Sequence, residues 1–127
     1  MSTIAAVATP DAVGGISVIR ISGEKSLEIA DKIFKNYAGK APSQMDGYTC
    51  AYGQIINDNN EKIDDVVLTV FRNPKSYTGE DVVEVSCHGG RYITKKILRM
   101  IYKYGAEPAQ GGEFTKRAFL NGKMSLT

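Results

Sequence analysis

Apolar residues occur along the chain in short runs and alternating stretches, and most of these predict β-strands. Five segments carry the pattern, because β-branched side chains recur within them and turn-forming residues separate them: residues 3–8, 16–21, 48–57, 63–71 and 81–87. Residues 106–110 are expected to form a sixth, short edge strand. The third and fourth segments predict a hairpin, since the residues between them, 58–61, tolerate tight turns.

Three other segments repeat apolar residues at helical spacing. The first follows Ser22, whose hydroxyl can cap a helix, and is expected to end near Asn36. The second covers residues 91–104, and Lys95, Lys96, Arg99 and Lys103 lie away from its apolar face. A short third helix covers residues 113–120. This order predicts an α+β (mixed α/β) domain, in which a mixed sheet of about five to six strands packs with about three helices.

The stretch at residues 66–71 is apolar almost without interruption. Such a run is typical of a strand that is covered on both faces, whereas a half-exposed strand alternates. The strand that contains it is therefore predicted to be central in the sheet.

Composition and charge exclude several classes of protein. The 127 residues are 43% hydrophobic and 24% charged, so a single folded domain is expected and a disordered chain is excluded. The net charge of +2 favours no class of partner. Cys50 and Cys87 form no CxxC motif and are interpreted as buried thiols in a reducing compartment. The chain has no signal-peptide pattern and no long apolar stretch, which predicts a cytoplasmic protein without membrane contact.

Glycine, hydroxyl and charged residues concentrate at residues 8–23, 73–90 and 111–123, around the ends of predicted elements. Loops held by rigid elements usually carry binding groups, so three such loops can form one pocket. The patterns GxxxxGK[ST], GxGxxG, GxSxG and HExxH do not occur in the sequence, which has a single histidine. The chain is therefore predicted to have no catalytic residue, no metal site and no GTP site of its own.

The same three segments resemble the amino-terminal domain of the MnmE/TrmE family of tRNA-modification GTPases. The first ends in the RISG turn at residues 20–23, and the second joins SYTGED at 76–81 to Glu84 and to HGG at 88–90. The third, GEFTKRAFLNGK at 112–123, is the most distinctive. The likeness covers essentially the whole chain and departs from the family's pattern at residues 11–13, Gly111 and Ser125.

The resemblance implies that residues 1–127 are a folate-binding and dimerisation domain, with the helical and GTPase domains of the parent protein outside this chain. The family's ligand-contacting Arg, Glu and Lys fall on Arg20, Glu80 and Lys123, and the implied ligand is 5-formyltetrahydrofolate or 5,10-methylenetetrahydrofolate. A carboxylate such as Glu80 can accept bidentately from the N–H edge of a pterin, while the two cations can meet its carbonyl and carboxylate oxygens. Four more residues complete the candidate site: Tyr77 and Phe114, which can stack on a ligand ring, and Thr78 and Arg117.

The resemblance also implies the setting in which the domain acts. The parent protein would hydrolyse GTP in its GTPase domain, which would hold GTP, Mg²⁺ and K⁺, while this domain is non-catalytic. It would form a homodimer and work with a flavoprotein of the MnmG/GidA type on C5 of the wobble uridine (U34) of tRNA, which the full complex binds.

Each of the three charged residues also has an interpretation that involves no ligand. Arg20 can be a solvated charge on a strand, Glu80 can cap the next element, and Lys123 can end a helix favourably. Two rival functions follow: a protein-interaction or scaffold module without a small-molecule ligand, and a stand-alone aminomethyltransferase-like folate enzyme. Only the joint match to the family's motifs favours the folate site over these alternatives.

Overall fold

Seven strands form one mixed sheet in the computed structural model, which describes residues 1–9 and 15–123. The strands are β1 (Ile4–Val7), β2 (Ser17–Ser22), β3 (Phe34–Asn36), β4 (Thr49–Ile56), β5 (Lys62–Phe71), β6 (Val82–Cys87) and β7 (Glu107–Pro108). The helices are α1 (Ser26–Ile33), α2 (Gly90–Lys103) and α3 (Glu113–Leu120), with a short 3₁₀ helix at Pro42–Gln44. The strand order is β3-β4-β5-β6-β2-β1-β7, and only the β1–β7 pair is parallel. The α+β fold is confirmed, with more strands than expected.

One face of the sheet packs against α1 and α2 and forms the hydrophobic core. Ile19, Val85 and Leu68 lie side by side in one cross-strand row, and all three are fully buried. Ile97 and Ile101 of α2 are also fully buried, because residues four apart lie on the same side of a helix. The apolar residues that alternate along the strands and those that recur at helical spacing in α2 therefore pack in a single core.

The opposite face, called here the open face, carries Arg20, Glu84, Val67 and Tyr52. Val67 is 39% exposed and Tyr52 is 55% exposed, so β5 is covered on one face only. The prediction that this strand is covered on both faces was wrong, because a run of apolar residues does not reveal whether a second layer covers it. Its position inside the sheet, between β4 and β6, is confirmed.

The first helix ends at Ile33 rather than near Asn36, and the chain continues directly into β3. β3 pairs with β4 opposite Gly53, where an added Cβ would lie 2.5 Å from Cζ of Phe34 and 2.4 Å from the carbonyl oxygen of Lys35. Phe34 has helical spacing in the sequence, but the space above a glycine of β4 accommodates its ring. A tertiary contact therefore decides the helix boundary.

The two cysteines differ in their environment. Cys87 is fully buried at the end of β6, and burial raises the pKa of its thiol. Cys50 on β4 is exposed, so the expectation of two buried thiols was wrong for this residue. Within the described part of the chain, none of the helices has the length and apolar character needed to cross a membrane.

Two adjacent valines of β5 provide a test of this two-faced architecture. Val66 is 1% exposed in the core, whereas Val67 points to the open face. We expect Val66→Ala to lower the free energy of unfolding by about 2 kcal/mol, because it removes buried methyl groups and leaves a cavity. Val67→Ala, the matched control, is expected to cost less than about 1 kcal/mol in the monomer, where this side chain is partly exposed. Urea denaturation of both variants measures the difference, and equal losses would contradict the assignment of the faces.

Candidate functional site

The loop between β5 and β6 is folded by its own side chains. Oδ1 of Asp81 accepts hydrogen bonds from the backbone nitrogen of Asn73 at 2.9 Å and from its Nδ2 at 3.1 Å, which closes the loop. Within it, Oγ of Ser76 accepts from the backbone nitrogen of Gly79 at 3.0 Å and donates to the carbonyl of Glu80. Gly79 has a φ of +83°, a conformation that favours glycine. The SYTGED motif thus specifies a tight loop.

Helix α3 is attached to this loop by a buried ion pair. Arg117 is 3% exposed, and its Nη1 donates to both carboxylate oxygens of Glu80, at 3.1 and 3.2 Å. Its Nη2 donates to Glu113, one turn earlier on α3, at 3.2 Å. Asn121 reinforces the attachment, since its Nδ2 donates to the Thr78 carbonyl at 2.8 Å. Of the described side chains, Arg117 contributes the one buried nitrogen or oxygen without a hydrogen-bond partner, its Nε.

Ser22 joins β2 to the same network. Its Oγ donates to Oε1 of Glu80 at 2.7 Å and lies 2.7 Å from Oγ1 of Thr78, which is fully buried. The expectation that Ser22 caps the first helix was wrong: α1 starts after Lys25 and has no side-chain cap. Ser22 is instead the last residue of β2.

Arg20 lies beside two aromatic rings in a cleft on the open face. Its Cζ is 5.0 Å from the ring centre of Tyr77 and 5.2 Å from that of Phe114, which are cation–π distances. The hydroxyl of Tyr77 lies 2.8 Å from Oγ1 of Thr115, so the loop and α3 meet above β2. The cleft has a volume of about 330 Å³, and its other walls are the end of β1, Ala8 and residues 109–112.

Glu84 is the carboxylate nearest to Arg20. The two residues are directly paired across β2 and β6, and Nε of Arg20 donates to Oε2 of Glu84 at 2.8 Å. Both side chains keep about a quarter of their surface exposed, at 22% and 24%. Glu84 was part of the family resemblance but was not chosen as a site residue. The signal that could have selected it is strand alternation, which puts Arg20 and Glu84 outside the core.

Lys123 lies next to the loop, at the end of α3. Its backbone nitrogen donates to the carbonyl of Ala118 at 2.8 Å. A Cβ added to Gly79 would lie 3.4 Å from Cγ of Lys123 and 2.8 Å from Cβ of Asn121, so glycine allows this close approach. Lys123 is exposed and is not among the residues that line the cleft.

The predicted site residues thus fall into three adjacent groups. Arg20, Tyr77 and Phe114 line the cleft, whereas Thr78, Glu80 and Arg117 form a hydrogen-bonded network beside it. Arg20 and Ser22 are two positions apart on β2, about 7 Å along the strand, so the cleft and the network are neighbours. Lys123 flanks the network. Such a site can hold a planar ligand through aromatic contact and charge-assisted hydrogen bonds.

Comparison with known proteins agrees with the resemblance that the sequence motifs indicate. The sequence pattern of the family described as "GTP-binding protein TrmE N-terminus" matches residues 3–123. Proteins named "tRNA modification GTPase MnmE" are similar to the chain: that of Parabacteroides distasonis is 51% identical over 128 residues, and that of Clostridioides difficile is 50% identical over 125. The alignments cover 100% and 98% of this chain but only 28% and 27% of those proteins.

The buried ion pair generates a stability prediction. Glu80→Ala leaves the guanidinium of Arg117 with one carboxylate instead of two, and we expect it to lower the free energy of unfolding by about 3 kcal/mol. Glu24→Ala, at an exposed glutamate, is expected to change it by less than about 0.5 kcal/mol. Urea denaturation compares the two. A loss below about 1 kcal/mol for Glu80→Ala would mean that α3 is not held by this pair.

Proposed function

Because the chain belongs to the TrmE amino-terminal family, we propose that it is the folate-binding and dimerisation domain of a tRNA-modification GTPase. The observation that carries the folate proposal is the cleft in which Arg20 meets Tyr77 and Phe114. The cleft offers aromatic surface and one cation, and Glu84, which is ion-paired with Arg20, supplies a carboxylate next to it. A reduced pterin and its polar edges require these groups.

The size of the cleft limits what it can enclose. Small-molecule pockets are typically about 300–1,000 Å³, so the cleft of about 330 Å³ fits the pterin ring of a folate rather than the whole molecule. The benzoyl-glutamate part would extend beyond the cleft. Arg20 uses its Nε for Glu84, and its other N–H groups are suited to a ligand oxygen. Lys123, exposed nearby, is suited to a carboxylate of the glutamate tail.

Two carboxylates are candidates for the N–H edge of the pterin. Glu80 was predicted from the family's motifs, but both its oxygens accept hydrogen bonds, from Ser22 and Arg117. Glu84 faces the open side of the sheet beside Arg20. We therefore assign the pterin edge to Glu84, and we assign to Glu80, Thr78 and Arg117 the role of holding the loop and α3 in place. Bound tetrahydrofolate would supply a one-carbon unit.

The dimer proposal is supported by the apolar surface of the open face. Ile16, Tyr52 and Val67 are exposed there and border a groove of about 350 Å³. Exposed contiguous apolar surface is typical of interaction sites, and a two-fold dimer would cover the same patch on both copies.

The activity of the whole protein is part of the same proposal. The relatives are tRNA-modification GTPases by name, so the parent protein would hydrolyse GTP in a domain outside this chain, with Mg²⁺ and K⁺ at that site. With a flavoprotein partner of the MnmG/GidA type, it would modify C5 of U34 in tRNA in the cytoplasm. A ligand-free scaffold module remains the rival interpretation, and folate titration distinguishes the two.

The folate proposal is tested by titration calorimetry with 5-formyltetrahydrofolate. We expect Arg20→Gln and Glu84→Gln each to weaken binding roughly 10- to 100-fold, since each removes a charge-assisted hydrogen bond. Glu80→Gln, a matched change in the network, is expected to weaken binding by less than about threefold, because the amide can replace part of the contacts. If Glu80→Gln lowers the affinity more than Glu84→Gln does, Glu80 rather than Glu84 binds the N–H edge of the pterin. No binding by the wild-type chain at millimolar ligand would favour the scaffold interpretation.

The dimer proposal is tested by light scattering. We expect the wild-type chain to have a dimer mass at micromolar concentration and Val67→Lys to have a monomer mass, because the lysine places a charge in the apolar interface. Tyr92→Lys is the control, since Tyr92 is exposed on α2, on the other side of the sheet. A monomer mass for the wild-type chain at every concentration would reject the dimer for this chain.

A further inference from the structure

Helix α2 concentrates positive charge. Its 14 residues include five of the sixteen basic residues of the chain and no acidic residue. We call these five cations the basic stripe: Arg91, Lys95, Lys96, Arg99 and Lys103. The chain as a whole has a net charge of only +2, so the basic residues outside α2 are outnumbered by acidic ones.

The stripe occupies one side of the helix. At 3.6 residues per turn, its five cations fall within an arc of about 140°, and Arg91 and Lys103 are about 18 Å apart along the axis. The buried residues of α2, Thr94, Ile97 and Ile101, lie on the other side. Folding therefore directs the apolar side of the helix into the core and the cations towards solvent.

The cations of the stripe repel one another along the helix. Positions 91, 95, 99 and 103 are successive i, i+4 neighbours, and like charges at that spacing destabilise a helix. Lys103 pairs with Asp58, but no carboxylate within residues 1–9 and 15–123 forms an ion pair with Lys95, Lys96 or Arg99. An ordinary solvated helix offsets such repulsion with interspersed Glu. A polyanion bound along the stripe would offset the repulsion between its cations.

We propose that the basic stripe binds the phosphate backbone of RNA. The proposal rests on the proposed function, since tRNA supplies the RNA. A lipid surface fits less well, because the apolar side of α2 is buried and cannot enter a bilayer. Tyr92, 71% exposed between two cations of the stripe, favours RNA over an acidic protein, because an exposed aromatic ring can stack on an unpaired base.

The location of the stripe separates it from the folate cleft. Helix α2 packs on the core face of the sheet, whereas the cleft lies on the open face. RNA held along α2 therefore leaves the cleft unobstructed, and the two binding sites can be tested independently in the same chain.

The test is the salt dependence of RNA binding, measured by fluorescence anisotropy with a labelled, unmodified tRNA transcript. We expect the double variant K95Q/R99Q to bind at least about tenfold more weakly at low salt, and to reduce the slope of log affinity against log salt concentration by about 1.5, because two phosphate contacts are lost. Lys96→Gln alone is expected to reduce the slope by about half that amount. Thermal unfolding of both variants is expected to show no loss of stability, since both remove like charges.

The matched control is K35Q/K40Q, which changes the net charge equally at exposed lysines of β3 and the loop after it. We expect it to change RNA affinity by less than about threefold. Equal losses for the two double variants, or no RNA binding by the wild-type chain, would overturn the proposal. So would an equal loss of binding to polyglutamate, or to vesicles containing phosphatidylserine, because the stripe would then recognise negative charge in general.

Titration with 5-formyltetrahydrofolate separates the two proposals. K95Q/R99Q is expected to bind the folate as the wild-type chain does. If the wild-type chain binds RNA through the stripe but binds no folate, the folate proposal fails and the RNA site stands. If it binds folate and no RNA, only the RNA site fails.

Discussion

The guanidinium of Arg117 is the group on which the geometry of the candidate site depends. Helix α3 buries only Arg117 and Ala118, so hydrophobic contact alone does not fix it to the domain. The helix is held instead by a buried cation. Removing this cation from water costs several kcal/mol, and its ion pairs with Glu80 and Glu113 offset that cost. Phe114 lies one turn before Arg117 on the same helix, so the ion pair also determines where Phe114 meets Arg20.

The two faces of the sheet have separate roles. The core face is covered by α1 and α2, and its packing provides the rigid base from which β2 and β6 present Arg20 and Glu84. The open face is covered only in part, by α3 and the loop that precedes β6. Local chain geometry thus places the polar site and the exposed apolar surface on one side of the domain, while the cations of α2 lie on the other.

Much of the fold was predictable because it follows from periodicity. β2, β6, α2 and α3 were predicted within a residue or two, since each has a clear alternation or helical repeat. The end of α1 was not, because Phe34 fits a helix locally and enters a strand only through its contact above Gly53. The exposure of Val67 was also unpredictable, since an apolar strand looks the same whether or not a second layer covers it.

The residues of the candidate site could be proposed from the motifs, but their contacts could not. The motifs located the three segments that converge, yet they could not decide which glutamate is engaged inside the protein. That distinction depends on the register of β2 against β6, which pairs Arg20 with Glu84, and on the packing of α3, which occupies Glu80 with Arg117. Both are contacts between residues far apart in the sequence.

The irregularity in the β4–β5 hairpin has an evolutionary consequence. The register of this pair shifts between Ile55 and Ile56, next to the turn, while the pairing of β5 with β6 starts further along, at Val67. Residues gained or lost at the hairpin tip can therefore be absorbed by the irregularity without rotating Glu84 or Arg20 towards the core. The hairpin can therefore vary in length between lineages at its tip. An insertion or deletion of one residue within β2 or β6 would instead move every following side chain of that strand to the opposite face of the sheet.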